Sequence, residues 1–255
     1  MTYTIAFAGK GGVGKTTTCG MFIDYLARSG RGPILAVDAD ANSNLNEVLG
    51  LKIETTLGDI REEIANAGAD SSKIPLSMSK QDYAGWRFSD AVIEEDKFDL
   101  LVMGRTQSAG CYCFVNDLLR EQIRKQYLNY KYLVVDNEAG LEHISRGILP
   151  PVDLILLVSD CSRRGIQAAG RVAVMIEELK LKAKDVFLIV NRAPGGVLND
   201  GTKEEIENQK LKLLGVLPQD DSVFEYDSAG TPLIQLPETS PLKVALAEVF
   251  KKLTL

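Results

Sequence analysis

The sequence is poor in metal-binding and cross-linking side chains. It has one histidine and four cysteines in 255 residues. One histidine cannot supply a His-rich metal site, and four scattered cysteines do not make a disulfide framework. The longest apolar runs, such as 154–158, fall far short of the roughly 20 residues a membrane helix needs. Lysine and arginine number 29 against 35 aspartates and glutamates, a net charge of −6, which excludes the global basic footprint of a dedicated nucleic-acid binder. Internal repeats, low-complexity tracts and linker-like stretches are also missing, so nothing divides the chain. Residues 1–8 run into a glycine loop without the charged leader and cleavage pattern of a signal peptide. The expectation is a soluble cytoplasmic protein with neither membrane nor nucleic acid as partner.

What is present is a rhythm of short apolar runs and longer helical patterns. Segments 4–8, 34–37, 100–103, 132–135, 154–158, 186–190 and 213–217 read as seven strands. Most are apolar throughout, as strands covered by helices on both faces are. Between them, 16–29, 115–127, 162–181 and 203–209 suit helices, and 242–253 places Leu242, Leu246, Val249, Phe250 and Leu253 on one helical face. This alternation predicts one α/β domain over residues 1–255, with a doubly wound, predominantly parallel seven-stranded sheet. Residues 50–97 fit the rhythm poorly. They hold helix-like pieces at 57–67 and 89–95, no strong strand, and the single tryptophan, Trp86. They read as a helical insertion or crossover, serving either recognition or plain coverage of the sheet.

The stretch Gly9-Lys10-Gly11-Gly12-Val13-Gly14-Lys15-Thr16-Thr17 follows a predicted strand and opens a predicted helix. It satisfies the phosphate-loop pattern in its required setting. Glycines let the backbone wrap a polyphosphate, and the helix N-terminus adds partial positive charge. Lys15 is placed to reach the β- and γ-phosphates of ATP, and Thr16 to offer its hydroxyl to magnesium. The extra lysine, Lys10, resembles the deviant Walker A loop of the MinD/ParA/nitrogenase-iron-protein group. That resemblance implies that Lys10 reaches across a homodimer to the partner's nucleotide.

Acidic groups follow two other strands, at Asp38-Ala39-Asp40-Ala41-Asn42-Ser43-Asn44-Leu45 and Asp136-Asn137-Glu138-Ala139-Gly140. Strand carboxyl ends are where open α/β sheets bind ligands, and magnesium and hydrolysis both call for carboxylates. By similarity to the group, Asp40 positions the attacking water in switch I. Asp136 holds magnesium through water, and Gly140 senses the γ-phosphate in switch II. Asp38, nearer its strand, carries less of this reading. Ala41 stands where the group usually has proline. Asn191-Arg192 and Leu217-Pro218-Gln219-Asp220 close two further strands. In the related ATPases the asparagine reads the adenine edge, for which an amide is suited, and the proline loop packs on the base.

Cys111-Tyr112-Cys113 precedes a helical pattern. Two thiolates half-fill a tetrahedral zinc, and the same pair from a second chain completes it. Cys19 and Cys161 read instead as small packed side chains, and His143 as a structural histidine beside switch II. Taken with Glu138-Ala139-Gly140-Leu141-Glu142-His143 and Ser145-Arg146-Gly147, the pair makes essentially the whole chain resemble the CooC-type maturation ATPases. Asn137 and Ser145 depart from the residues expected in relatives. The resemblance implies ATP or ADP with Mg²⁺, and Zn²⁺ or Ni²⁺ held between subunits by Cys111 and Cys113. It also implies a nickel-enzyme client, carbon monoxide dehydrogenase or, as the alternative, acetyl-CoA synthase. Two other classes stay open: a MinD/ParA-like spatial organiser and an iron–sulfur electron-transfer ATPase.

Overall fold

The computed structural model describes residues 2–69, 75, 77–105, 121–138, 150–181 and 183–255. The sequence readings at Cys111, Cys113, Gly140 and His143 lie outside these residues. In chain order the elements are β1 (Tyr3–Ala8), α1 (Lys15–Arg28), β2 (Ile34–Ala39), α2 (Leu45–Leu49), α3 (Leu57–Ala69), α4 (Lys80–Ala91), β3 (Val92–Glu94) and β4 (Asp99–Val102). Residues 121–126 are helical. Then follow β5 (Tyr132–Asn137), β6 (Leu154–Asp160), α5 (Arg163–Glu178), β7 (Asp185–Ala193), α6 (Asp200–Asn208), β8 (Leu213–Pro218), α7 (Asp221–Ser228) and α8 (Pro241–Phe250).

The strands form one sheet in the order β3-β4-β2-β5-β1-β6-β7-β8. Every neighbouring pair is parallel except β3–β4. Eight strands stand where seven were expected. The extra one, β3, falls in a stretch that reads as helix-like. It is three residues long, follows α4 with no glycine or proline between, and pairs antiparallel at the sheet edge, Val92 opposite Leu101. So short a segment shows no period of its own. Helices α2 and α7, both short, also escaped the sequence reading.

The unbroken apolar strands are explained by two cores, one on each face. Ile5, Phe7, Ile34, Ala36, Val134 and Leu156 point to the side covered by α1, α2 and α8. Their neighbours Ala6, Ala8, Leu35, Val37, Val135 and Leu157 point to the side covered by α3, α4, α5 and α6. On the first face Phe22 of α1 packs edge-on against Phe250 of α8, with 4.7 Å between ring centroids. Burying one such ring contributes about 1.5–3 kcal/mol. The 50–97 segment joins the second core through Ile60, Ile64, Tyr83 and Phe88. No helix among the described residues is long and apolar enough to cross a membrane.

What this sheet does for function follows from its register. Strand β5 lies between β2 and β1, with Asp136 level with Asp38 on one side and Phe7 on the other. The loops leaving β1, β2 and β5 therefore emerge side by side, where the chain order reverses and such sheets bind ligands.

Candidate functional site

The loop after β1 turns into α1 at Gly14, whose φ of 87° is left-handed. A side chain there would be strained and would meet Asn191 Nδ2 at 2.2 Å. Helix α1 begins without a capping side chain and without an acid in its first turn. Its first amides and its partial positive charge thus face the loop unopposed, as an anion site requires. Thr18 Oγ1 returns to the Gly14 carbonyl at 2.8 Å and ties the loop to the helix.

Under the loop lies a buried ion pair. Lys15 Nζ is 3.2 Å from Asp136 Oδ1, with the two side chains 7 % and 0 % exposed. Desolvation offsets much of the attraction in such a pair, so its presence argues for function more than for stability. Burial pushes the Asp136 carboxyl above its ordinary range, while Lys15 and the neighbouring Thr16 hydroxyl pull it back. Its second oxygen, Oδ2, is buried with no hydrogen-bond partner. A buried carboxylate oxygen without a donor suits a hydrated cation, whose waters supply the missing protons. Mg²⁺ therefore fits between Asp136 and Thr16, and a polyphosphate fits the open α1 N-terminus.

Asp38 is equally buried but differently engaged. It accepts from the amides of Leu45 at 2.9 Å and Asp40 at 3.0 Å. Burial raises its pKa to about 6, the Leu45 amide opposes that, and Asp136 adds to the rise. Asp38 thus braces the loop after β2, whereas Asp40 sits half-buried on the wall of the cleft.

The cleft itself is about 990 Å³. It brings together Lys10, Gly11, Gly12, Gly14, Lys15, Thr16, Thr17, Asp40 and Arg192 of the expected residues. Lys10 is exposed at its rim. A smaller cleft of about 370 Å³ adjoins it, sharing Gly14, Thr17, Arg192 and Asp227, and adds Asn191, Pro218, Gln219 and Phe224. Leu217, expected at the base, is instead fully buried in the core beside α1 and α8. Strand alternation turns it inward, and Pro218 and Gln219 after it line the smaller cleft. Val13 is also 2 % exposed and acts by packing under the loop.

Asn191 was expected to read the adenine edge. In the structure its Nδ2 donates to the Val13 carbonyl at 2.9 Å, and its Oδ1 accepts from the Arg192 amide at 2.9 Å. It holds the phosphate loop from below. Arg192, at a left-handed φ of 57°, reaches over the loop to the Gly12 carbonyl at 3.0 Å. Such strain persists where surroundings over-determine it.

Several lining residues were not singled out from the sequence. Asn44 lies within the 38–45 stretch and Glu47 two residues beyond it. Asp227 lies in the last turn of α7, a helix that was itself missed, and Thr231, Pro232 and Leu233 follow it; none carried a signal. Among the described residues no group of three or more histidine, cysteine, aspartate or glutamate side chains is arranged to hold a metal.

Residues 4–233 match the model of the CobQ/CobB/MinD/ParA nucleotide binding domain. An uncharacterised ATP-binding protein of Methanocaldococcus jannaschii is 39 % identical over 253 residues, covering 98 % of this chain and 97 % of its own. The carbon monoxide dehydrogenase accessory protein CooC of Rhodospirillum rubrum is 29 % identical, covering 89 % and 87 %. Among solved structures, the septum site-determining protein MinD of Pyrococcus horikoshii, complexed with Mg-ADP, superposes with a TM-score of 0.70 at 20 % identity, covering 99 % and 96 %. With a phosphate loop, a buried lysine–aspartate pair and a magnesium-ready carboxylate at adjacent strand ends, the chain belongs to the CobQ/CobB/MinD/ParA nucleotide-binding family and is an ATPase.

Proposed function

We propose that the protein is an ATP-driven metallochaperone of the CooC kind. ATP binding joins two copies, with Lys10 of each reaching toward the other's nucleotide. Cys111 and Cys113 of both copies then hold Zn²⁺ or Ni²⁺ between them, and hydrolysis separates the pair. Within the site, Asp40 orients the attacking water, Asp136 and Thr16 hold the hydrated magnesium, and Lys15 neutralises the phosphates. The client is a nickel enzyme, carbon monoxide dehydrogenase first and acetyl-CoA synthase as the alternative. The observation that carries this reading is the near full-length similarity to the Rhodospirillum rubrum accessory protein, joined to the sequence Cys111-Tyr112-Cys113. The exposed position of Lys10 at the cleft rim supports a reach outward.

A spatial-organising role, to which the MinD likeness in fold points, has less support. Such a role would favour an amphipathic helix free to meet a bilayer. In this chain Leu242, Leu246, Val249 and Phe250 of α8 are 0–4 % exposed and belong to the core. Lys252 is tied to the Leu214 carbonyl at 3.0 Å.

The test is nickel and zinc stoichiometry together with gel filtration, with and without ATP. Wild type is expected to bind one metal per dimer, and Cys111→Ala/Cys113→Ala to lose both the metal and metal-dependent dimerisation. Activation of a nickel-free client should fail with the same variant and with Lys10→Ala. Stoichiometric metal in the double variant would overturn the ligand assignment. ATP-dependent sedimentation with liposomes would turn the reading toward a spatial organiser.

A further inference from the structure

We infer that Arg105 is a positioning residue for ATP hydrolysis, acting through Asn42 on the switch I loop that carries Asp40. The inference rests on the proposed role of Asp40 and adds to it what holds that carboxylate in place.

The geometry begins behind the cleft, where β4 ends. The Met103 amide donates to the Asp38 carbonyl at 2.8 Å, and the Met103 carbonyl accepts from the Gly58 amide at 2.9 Å. The next residue, Gly104, takes a left-handed φ of 66°, and a Cβ there would lie 2.4 Å from Thr56 Oγ1. A Cβ on Gly58 would lie 2.3 Å from the Arg105 carbonyl oxygen. Two glycines thus let three segments meet backbone to backbone: the end of β2, the start of α3 and the turn after β4. The Arg105 backbone is fixed by that meeting.

From this footing the guanidinium crosses to switch I. Arg105 Nη2 donates to Asn42 Oδ1 at 2.5 Å. The Asn42 amide donates to Asp40 Oδ1 at 2.8 Å. The loop between them is a tight one, with the Ser43 amide returning to the Asp40 carbonyl at 3.1 Å and Ser43 itself at a left-handed φ of 53°. A strained loop needs outside contacts to keep one shape. Asp40 and Asn42 line the cleft, and Arg105 stands outside it, so Arg105 acts at one remove. Both Arg105 and Asn42 are exposed, and an exposed contact adds little stability. Its value lies in the orientation of Asp40, where a small displacement of a catalytic group lowers turnover far more than binding.

Steady-state ATP hydrolysis tests this with Arg105→Ala, Asn42→Ala, the double variant, Arg105→Lys and Asn42→Asp. Arg105→Ala is expected to lower kcat about five- to tenfold with KM for ATP held within about twofold. The double variant should be no slower than the slower single variant, since both remove one contact. Asn42→Asp retains an acceptor for the guanidinium and should turn over faster than Asn42→Ala. Arg105→Lys keeps one donor and should recover part of it. An unchanged kcat for Arg105→Ala, or losses that multiply in the double variant, would overturn the inference. A raised KM with unchanged kcat would also overturn it, by making Arg105 a nucleotide contact. Asp40→Asn is measured alongside. If it loses turnover while Arg105→Ala does not, the inference fails and the role of Asp40 stands. If Asp40→Asn turns over normally, both fall.

Discussion

Two aspartates stand level with each other at the ends of β2 and β5, both 0 % exposed. Asp38 gives its oxygens to two backbone amides. Asp136 pairs one oxygen with the Lys15 ammonium and leaves the other without a donor. The same side chain at the same depth therefore does two jobs. One carboxylate is a brace whose hydrogen bonds are complete. The other is half-satisfied, and a half-satisfied buried carboxylate is a place for chemistry. Partner atoms, and not burial or position, tell the two apart.

The sharpest way to break that comparison is to neutralise each in turn. Asp136→Asn keeps the shape but removes the charge that pairs with Lys15 and the acceptor offered to hydrated magnesium. Its kcat for ATP is expected to fall about 10²–10³-fold, the range for removing one preorganised electrostatic group. Asp38→Asn should cost less than about tenfold, because it acts on the loop and not on the reacting atoms. Steady-state hydrolysis at saturating magnesium checks both, and equal losses would dissolve the distinction.

The sequence could carry the phosphate loop because that loop is local. Nine consecutive residues, a strand before and a helix after, define it without any distant partner. Asp38 and Asp136 were also visible, as acids following apolar runs. What separates them was not, since the amides of Leu45 and Asp40 and the ammonium of Lys15 meet them only in the folded chain. For Asn191 the same reason holds: it lies 178 residues from Val13, and no spacing rule reports that contact. Leu217 was misplaced by one step of strand alternation. The edge strand β3 and helices α2 and α7 are each too short to show a period. The cleft wall formed by Asp227 at the end of α7 and by residues 230–233 beyond it went out of sight with that helix.

A second test uses protons instead of substitutions. The Asp38 carboxyl is raised from 3.8 to about 6 in the folded protein. The native state therefore keeps a proton that the unfolded chain releases, and binding it stabilises the fold. That contribution is complete below about pH 4 and is lost as pH rises through about 6. Moving from 3.8 to about 6 corresponds to about 3 kcal/mol. Asp136 is raised as well and adds to the same sign. Urea unfolding of wild type and Asp38→Asn from pH 4 to 7 isolates the Asp38 part. Wild type should lose about 3 kcal/mol relative to the variant across that window, and parallel curves would show that Asp38 ionises normally.

The smallest expected effect sets a neutral brace against the charged one. Asn191 supports the phosphate loop as Asp38 supports the loop after β2, with an amide in place of a carboxylate. Asn191→Ala removes one hydrogen bond to the Val13 carbonyl and one from the Arg192 amide. Each buried backbone group left unpaired costs about 1–3 kcal/mol, moderated where water enters the space vacated. A net loss of about 1 kcal/mol is expected, read as a lower urea midpoint at unchanged slope. Because neither group titrates, that loss should be the same at pH 5 and pH 8, whereas the Asp38→Asn difference changes with pH. A pH-dependent Asn191→Ala effect would mean that the loop and the two aspartates are coupled, and that the braces are not separable.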